Sequence, residues 1–100
     1  MKFLIPSSIQ KPKNINLILR QSGYHPEVKR ISGELSFVRS ATGRPFPRFH
    51  VYVDEVVEGW MVNLHLDQKQ PTYEGSSAHN GEYEGPIIEE EARRIKWAGR

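Results

Sequence analysis

The stretch RFHVYVDEVVEGWMVNLHLD, residues 48–67, decides the fold. Its first seven residues alternate in character with a period of two, the spacing of an extended strand. Phe49, Val51 and Val53 project to one side, and Arg48, His50, Tyr52 and Asp54 to the other. A second alternating run follows Glu55-Val56-Val57-Glu58-Gly59. In it Val62, Leu64 and Leu66 share one face, while Asn63, His65 and Asp67 share the opposite one. Asp54, Glu55 and Glu58 mark the solvated end of the hairpin that joins the two runs.

Apolar positions must lie opposite apolar positions, so paired residue numbers in this hairpin add up to an odd value. A sum of 115 sets His50 opposite His65, Arg48 opposite Asp67 and Tyr52 opposite Asn63; a sum of 113 sets His50 opposite Asn63 and Arg48 opposite His65. Either register gathers Arg48, His50, Tyr52, Asn63, His65 and Asp67 into one polar cluster, because directly opposed Cβ atoms stand about 5 Å apart.

Further elements surround the hairpin. Gly33–Arg39 alternates as a third strand, and the Gly- and Pro-containing run 40–47 connects it to the hairpin. Asn14–Tyr24 reads as a short helix with Asn14 as N-cap, Ile15, Ile18 and Leu19 on the apolar face, Gly23 at the left-handed end and Tyr24 packing back. Pro86 suits a first helical position, and in the helix running to Trp97 the acids come first and the bases last, as the helix dipole favours. Ile88, Ala92 and Ile95 form its buried stripe, with Glu89–Arg93 and Glu90–Arg94 as i,i+4 ion pairs. Residues 1–13 read as an arm in which Phe3, Leu4 and Ile5 add a short strand or pad the core; His25, before Pro26, is structural. The expected architecture is α+β in the order α-β-β-β-α: a three-stranded antiparallel sheet with both helices on one face, and a single domain over residues 14–100.

The segment LHLDQKQPTYEGSSAHNGEYEGP, residues 64–86, is unusual for a chain of 100 residues. A long polar loop in a small domain is usually functional or disordered. Here it supplies His79 and Glu82, and it repeats Tyr-Glu-Gly at 73–75 and 83–85. The expectation is a lid over the polar cluster.

Composition removes several classes of function. With no cysteine there is no disulfide, thiolate zinc site or cysteine nucleophile. Pro6 interrupts the short apolar start, and no run approaches the roughly 20 residues of a membrane span, so a soluble, cytoplasmic protein is expected. No serine sits at a nucleophile elbow and no glycine run forms a phosphate loop. Residues 1–50 hold nine Lys or Arg against two acids, while residues 51–100 hold five bases against ten acids. A basic half attracts polyanions unless the acidic half folds against it.

Three readings follow. The first is a divalent-metal or small-ligand site on the open sheet face. Its metal ligands are His50, His65, Asp67 and, from the loop, His79, and its ligand contacts are Arg48, Tyr52, Asn63 and Glu82. Imidazoles with one carboxylate and an open position suit zinc first, and a metal-bound water attacks esters or phosphodiesters. The second is RNA binding on the same face, with Arg39, Arg44 and Arg48 on phosphates, Tyr52 as a stacking ring, and His50 or His65 as a general base. The third is a protein-interaction module without catalysis, carried by the loop and by Trp60 and Trp97.

Two resemblances bear on these readings. The helix ending Leu19-Arg20-Gln21-Ser22-Gly23-Tyr24, with the α-β-β-β-α layout, resembles HicA-type toxins and double-stranded-RNA-binding domains, which implies RNA as partner and an RNase activity. His65-Leu66-Asp67-Gln68-Lys69, Ser77-Ala78-His79-Asn80-Gly81-Glu82-Tyr83 and the Glu-rich helix look like a set of short, uncharacterised single-domain bacterial proteins over residues 20–96. That second resemblance implies no activity.

Overall fold

A computed structural model of the chain describes residues 1–28, 35–68, 81–82 and 85–100, with Val28 and Glu82 described in backbone only. The alternating stretch forms two nine-residue strands, β4 (Arg48–Val56) and β5 (Gly59–Asp67). Before them come β1 (Lys2–Pro6), α1 (Ile15–Gln21), β2 (His25–Val28) and β3 (Leu35–Ser40); after them come β6 (Gly81–Glu82) and α2 (Pro86–Ala98). The sheet is antiparallel in the order β1-β5-β4-β3-β2, and β6 pairs with the far end of β5.

The class is α+β, but the expected three-stranded sheet is wrong. Five strands lie along one path, with the two-residue β6 beside it. The two strands not counted in the expected layout, β1 and β2, are short, stand at the ends of that path, and each carries a proline, Pro6 or Pro26. Proline reads as a breaker in sequence, yet an edge strand tolerates it because only one of its sides needs ladder N–H groups. Phe3 and Ile5 of β1 are buried in the core, and β2 pairs His25 with Val38 and Glu27 with Ser36.

The β4–β5 register is the one whose residue numbers sum to 115: Arg48↔Asp67, His50↔His65, Tyr52↔Asn63 and Val56↔Gly59. Gly59 cannot be replaced freely. Its φ is +145°, and a Cβ there would collide with the Ile5 carbonyl oxygen and the Ser7 nitrogen, because the β1 backbone passes directly against it.

Both helices lie in the core that covers one sheet face. Ile15, Ile18 and Leu19 of α1 and Ile88, Ala92 and Ile95 of α2 are buried with Phe37, Phe49, Val51, Val53, Val62, Leu64 and Leu66 of the strands. The α1 ends follow the sequence. Asn14 Oδ1 accepts from the Leu17 N–H, while Gly23 (φ +93°) and Tyr24 donate back to Arg20 and Leu19 in a Schellman closure.

In α2 the ion pairs are i,i+3 rather than the expected i,i+4: Glu90–Arg93 at 3.9 Å and Glu91–Arg94 at 2.8 Å. Arg94 is drawn to i,i+3 by Glu91, which the helix turns inward. Its carboxylate accepts from the Tyr24 hydroxyl at 2.6 Å, from Arg94 and, at 3.4 Å, from Arg39, and Arg94 also donates to the Ser22 carbonyl. Burial, reinforced by the adjacent Glu91 charge, pushes the Tyr24 hydroxyl pKa far up, so it stays a donor. The hydrogen bond to Glu91 raises that of Arg94.

Candidate metal centre

Period-two alternation and antiparallel register fix which residues share the second face of the sheet. Around His50 these are Glu27 from β2, Val38 from β3, Arg48 and Tyr52 from β4, and His65 and Asp67 from β5. This face is not open at its centre as expected: His50 is 4% and His65 7% exposed. The rings explain part of the cover. His50 stacks on Tyr52 at 4.5 Å, His65 lies 5.0 Å from His50, and Tyr52 stacks with His65 at 5.5 Å.

Asp67 ties the two histidines together. Its Oδ1 stands 3.0 Å from His65 Nε2, and its Oδ2 stands 3.3 Å from His50 Nδ1. Burial raises the pKa of this carboxyl, but the hydrogen bonds from His50 and His65 and their charge outweigh it. The net effect holds Asp67 well below the usual carboxylate range.

On the other side of the ring, His50 Nε2 is buried and meets Glu27 Oε1 at 3.4 Å, an ion-pair contact without hydrogen-bond alignment. Arg48 closes the circuit, with Nη1 3.2 Å from Glu27 Oε2 and Nε 3.3 Å from Asp67 Oδ2. The arginine offered by the sequence to a phosphate is therefore held by two carboxylates. Arg39 is likewise placed against Glu91, on the core side.

One ligand atom each from His50, His65 and Asp67 all lie within 4.8 Å of one another, so this group could hold a metal ion. Ligands at about 2.0–2.1 Å from a tetrahedral ion stand about 3.3 Å apart. The Asp67 carboxylate spans the pair at distances near that length, with Oδ1 3.0 Å from His65 Nε2 and Oδ2 3.3 Å from His50 Nδ1.

The remaining sequence candidates fare differently. Arg48 and Tyr52 border the cluster, as described. Asn63 is opposite Tyr52 on one side and Lys2 on the other, half-exposed. Glu82 is opposite Leu66 in the β5–β6 register, and Gly81, not Glu82, is opposite Asp67. His79, both Tyr-Glu-Gly tyrosines and nearly all of the expected lid lie outside the described residues.

Glu27 is the residue that sequence reasoning missed. A signal existed, since His25 and Glu27 alternate with Pro26 and Val28, but Pro26 hid the strand.

Among the described residues, concavities of the surface lie elsewhere. One of about 650 Å³ sits at the turn end of the β4–β5 hairpin, against Ile9, Val57 and Trp60, away from the histidines. Among the described residues no helix is long and apolar enough to cross a membrane. No protein-family model, curated protein or solved structure matches the chain. The site therefore has to be argued from its own chemistry.

Proposed function

We propose that this domain binds a divalent metal, zinc first, through His50 Nδ1, His65 Nε2 and an Asp67 oxygen. The observation that carries the reading is the orientation of His50. One ring nitrogen faces the shared carboxylate of Asp67 and the other faces Glu27. Metal-bound imidazoles characteristically give their second ring nitrogen to a carboxylate, which fixes the tautomer and raises ligand basicity. Glu27 is placed for that role. Two imidazoles and one carboxylate match zinc or non-haem iron better than magnesium or calcium, which favour all-oxygen shells.

Three protein ligands leave a fourth position. A water there makes a Lewis-acidic, hydrolytic centre, and a fourth side chain closes the site into a structural one. The sequence offers His79 for the second case.

Arg48 supports a competing reading. Its guanidinium already neutralises Asp67 and Glu27, so the cluster also stands as a metal-free polar network that fastens β2 and β5 to β4.

Thermal melts with chelator and with added zinc separate the two. Metal binding predicts a zinc-dependent rise in Tm that His65→Ala removes while the chelated proteins both fold. A Tm indifferent to zinc supports the network and sinks the metal reading.

A further inference from the structure

We infer that the C-terminal end of α2, with the segment 11–13 packed beside it, binds single-stranded nucleic acid: Trp97 stacks a base and Lys11, Lys13, Lys96 and Arg100 meet phosphates. The inference starts from where the positive charge goes. Arg48, Arg39 and Arg94 are held by carboxylates, and Arg93 is 3.9 Å from Glu90. Among the described residues Lys11, Lys96 and Arg100 pair with no Asp or Glu side chain; the Lys13 ammonium donates to a main-chain oxygen of Arg100 at 2.8 Å, and the Lys96 ammonium stands over the Phe3 ring at 5.3 Å.

That hydrogen bond also brings the two segments together. Lys11, Lys13 and Arg100 line a concavity of about 410 Å³ with Ser7, Ser8 and Glu58. Lys96 lies in the last turn of α2, and Arg100 follows the Gly99 C-cap. Cations at a helix C-terminus complement the dipole, which accounts for Lys96 and Arg100 but not for Lys11 and Lys13 converging on them.

Trp97 selects the partner. It is 66% exposed, whereas Trp60 is half-buried with its indole N–H on the Lys13 carbonyl. The Arg100 guanidinium covers one side of the Trp97 ring at 3.5 Å. An aromatic ring with an arginine on one side, near cations that no Asp or Glu side chain holds, suits an unpaired base and its flanking phosphates. Duplex DNA keeps its bases stacked inward and cannot use the ring. On the sheet face, where the sequence placed RNA, Arg48 is held by Glu27 and Asp67.

The test is fluorescence anisotropy of the full chain with short labelled oligouridylate and oligothymidylate across a salt series. The expected result is saturable binding at about 50 mM salt, with a log–log salt slope of about −2 to −3, since each phosphate contact on a single strand contributes about −0.7. Trp97→Ala should weaken binding about 5-fold or more, Trp97→Phe should restore part of it, and Lys11→Glu with Lys96→Glu should abolish it. Tighter binding of the uridylate assigns RNA, and equal binding assigns single strands of either sugar. No binding at low salt overturns the inference. So does a Trp97→Ala variant that folds and binds as the wild type does, because charge alone then explains the affinity. His65→Ala should leave this binding unchanged, which keeps the result independent of the metal reading.

Discussion

His50 and His65 face each other across the β4–β5 ladder, ring centroids 5.0 Å apart, with the single carboxylate of Asp67 bonded to both. Strand alternation, register and the spacing of two residues between His65 and Asp67 suffice to produce that meeting. It requires no loop. The predictions below take the cluster and its supports apart one at a time.

Glu27 should matter to metal affinity without being a ligand. Glu27→Ala removes the carboxylate behind the His50 ring and should weaken zinc binding about 10–100-fold. Glu27→Gln keeps a hydrogen-bond acceptor there and should recover part of the loss. Competition with a chromogenic chelator measures this, and equal affinity for all three proteins would remove Glu27 from the site.

Acid should act on the chelated protein through Asp67. Its carboxyl titrates lower in the folded state than in the unfolded chain, so its contribution is fully present above the unfolded value of about 3.9 and is lost as pH falls further through the folded value. Urea midpoints taken between about pH 5 and pH 2 should therefore fall more steeply for the wild type than for Asp67→Asn. Parallel curves would mean that Asp67 gains nothing from the two imidazoles.

Glu91 should prove the most sensitive charge in the helical layer. Glu91→Ala leaves Arg94, Arg39 and the Tyr24 hydroxyl without their shared acceptor, at a cost of about 3–5 kcal/mol in urea unfolding. Tyr24→Phe removes one arm only and should cost about 1–3 kcal/mol. A Glu91→Ala loss below about 1 kcal/mol would show that the network adds nothing to its own desolvation.

Gly59→Ala tests the passage of β1 over the hairpin turn. Positive φ and the collision with Ile5 and Ser7 should together cost about 2 kcal/mol or more, read as a drop in Tm. A neutral substitution would mean that β1 does not lie against Gly59 as described.

The long strands were the legible part of this fold. Nine-residue runs with clean alternation announce their faces, and parity confined the register to two choices, one of which the structure adopts. The edges were legible only in part: the short strand offered at Phe3–Ile5 is β1, whereas β2 went unread because Pro26 carries the sequence mark of a break that edge position tolerates. Missing β2 concealed Glu27 and with it half of the surroundings of His50. Burial of the histidines was equally unreadable: polar residues on a sheet face predict solvent, and nothing in the sequence says that Tyr52, Arg48 and Glu27 close around them. In α2 the apolar stripe came out as spaced, but pairing rules for exposed helices did not foresee an inward Glu91 that captures Arg94 at i,i+3.

Isothermal titration of zinc into the chelator-stripped full chain tests the central claim most directly. Binding to His50, His65 and Asp67 predicts one zinc per chain, with affinity reduced about 100-fold or more in both His65→Ala and Asp67→Ala, since each removes a ligand outright rather than a supporting contact. Absence of saturable heat, or the same isotherm from wild type and both variants, would contradict it and leave the cluster as a polar clasp between strands.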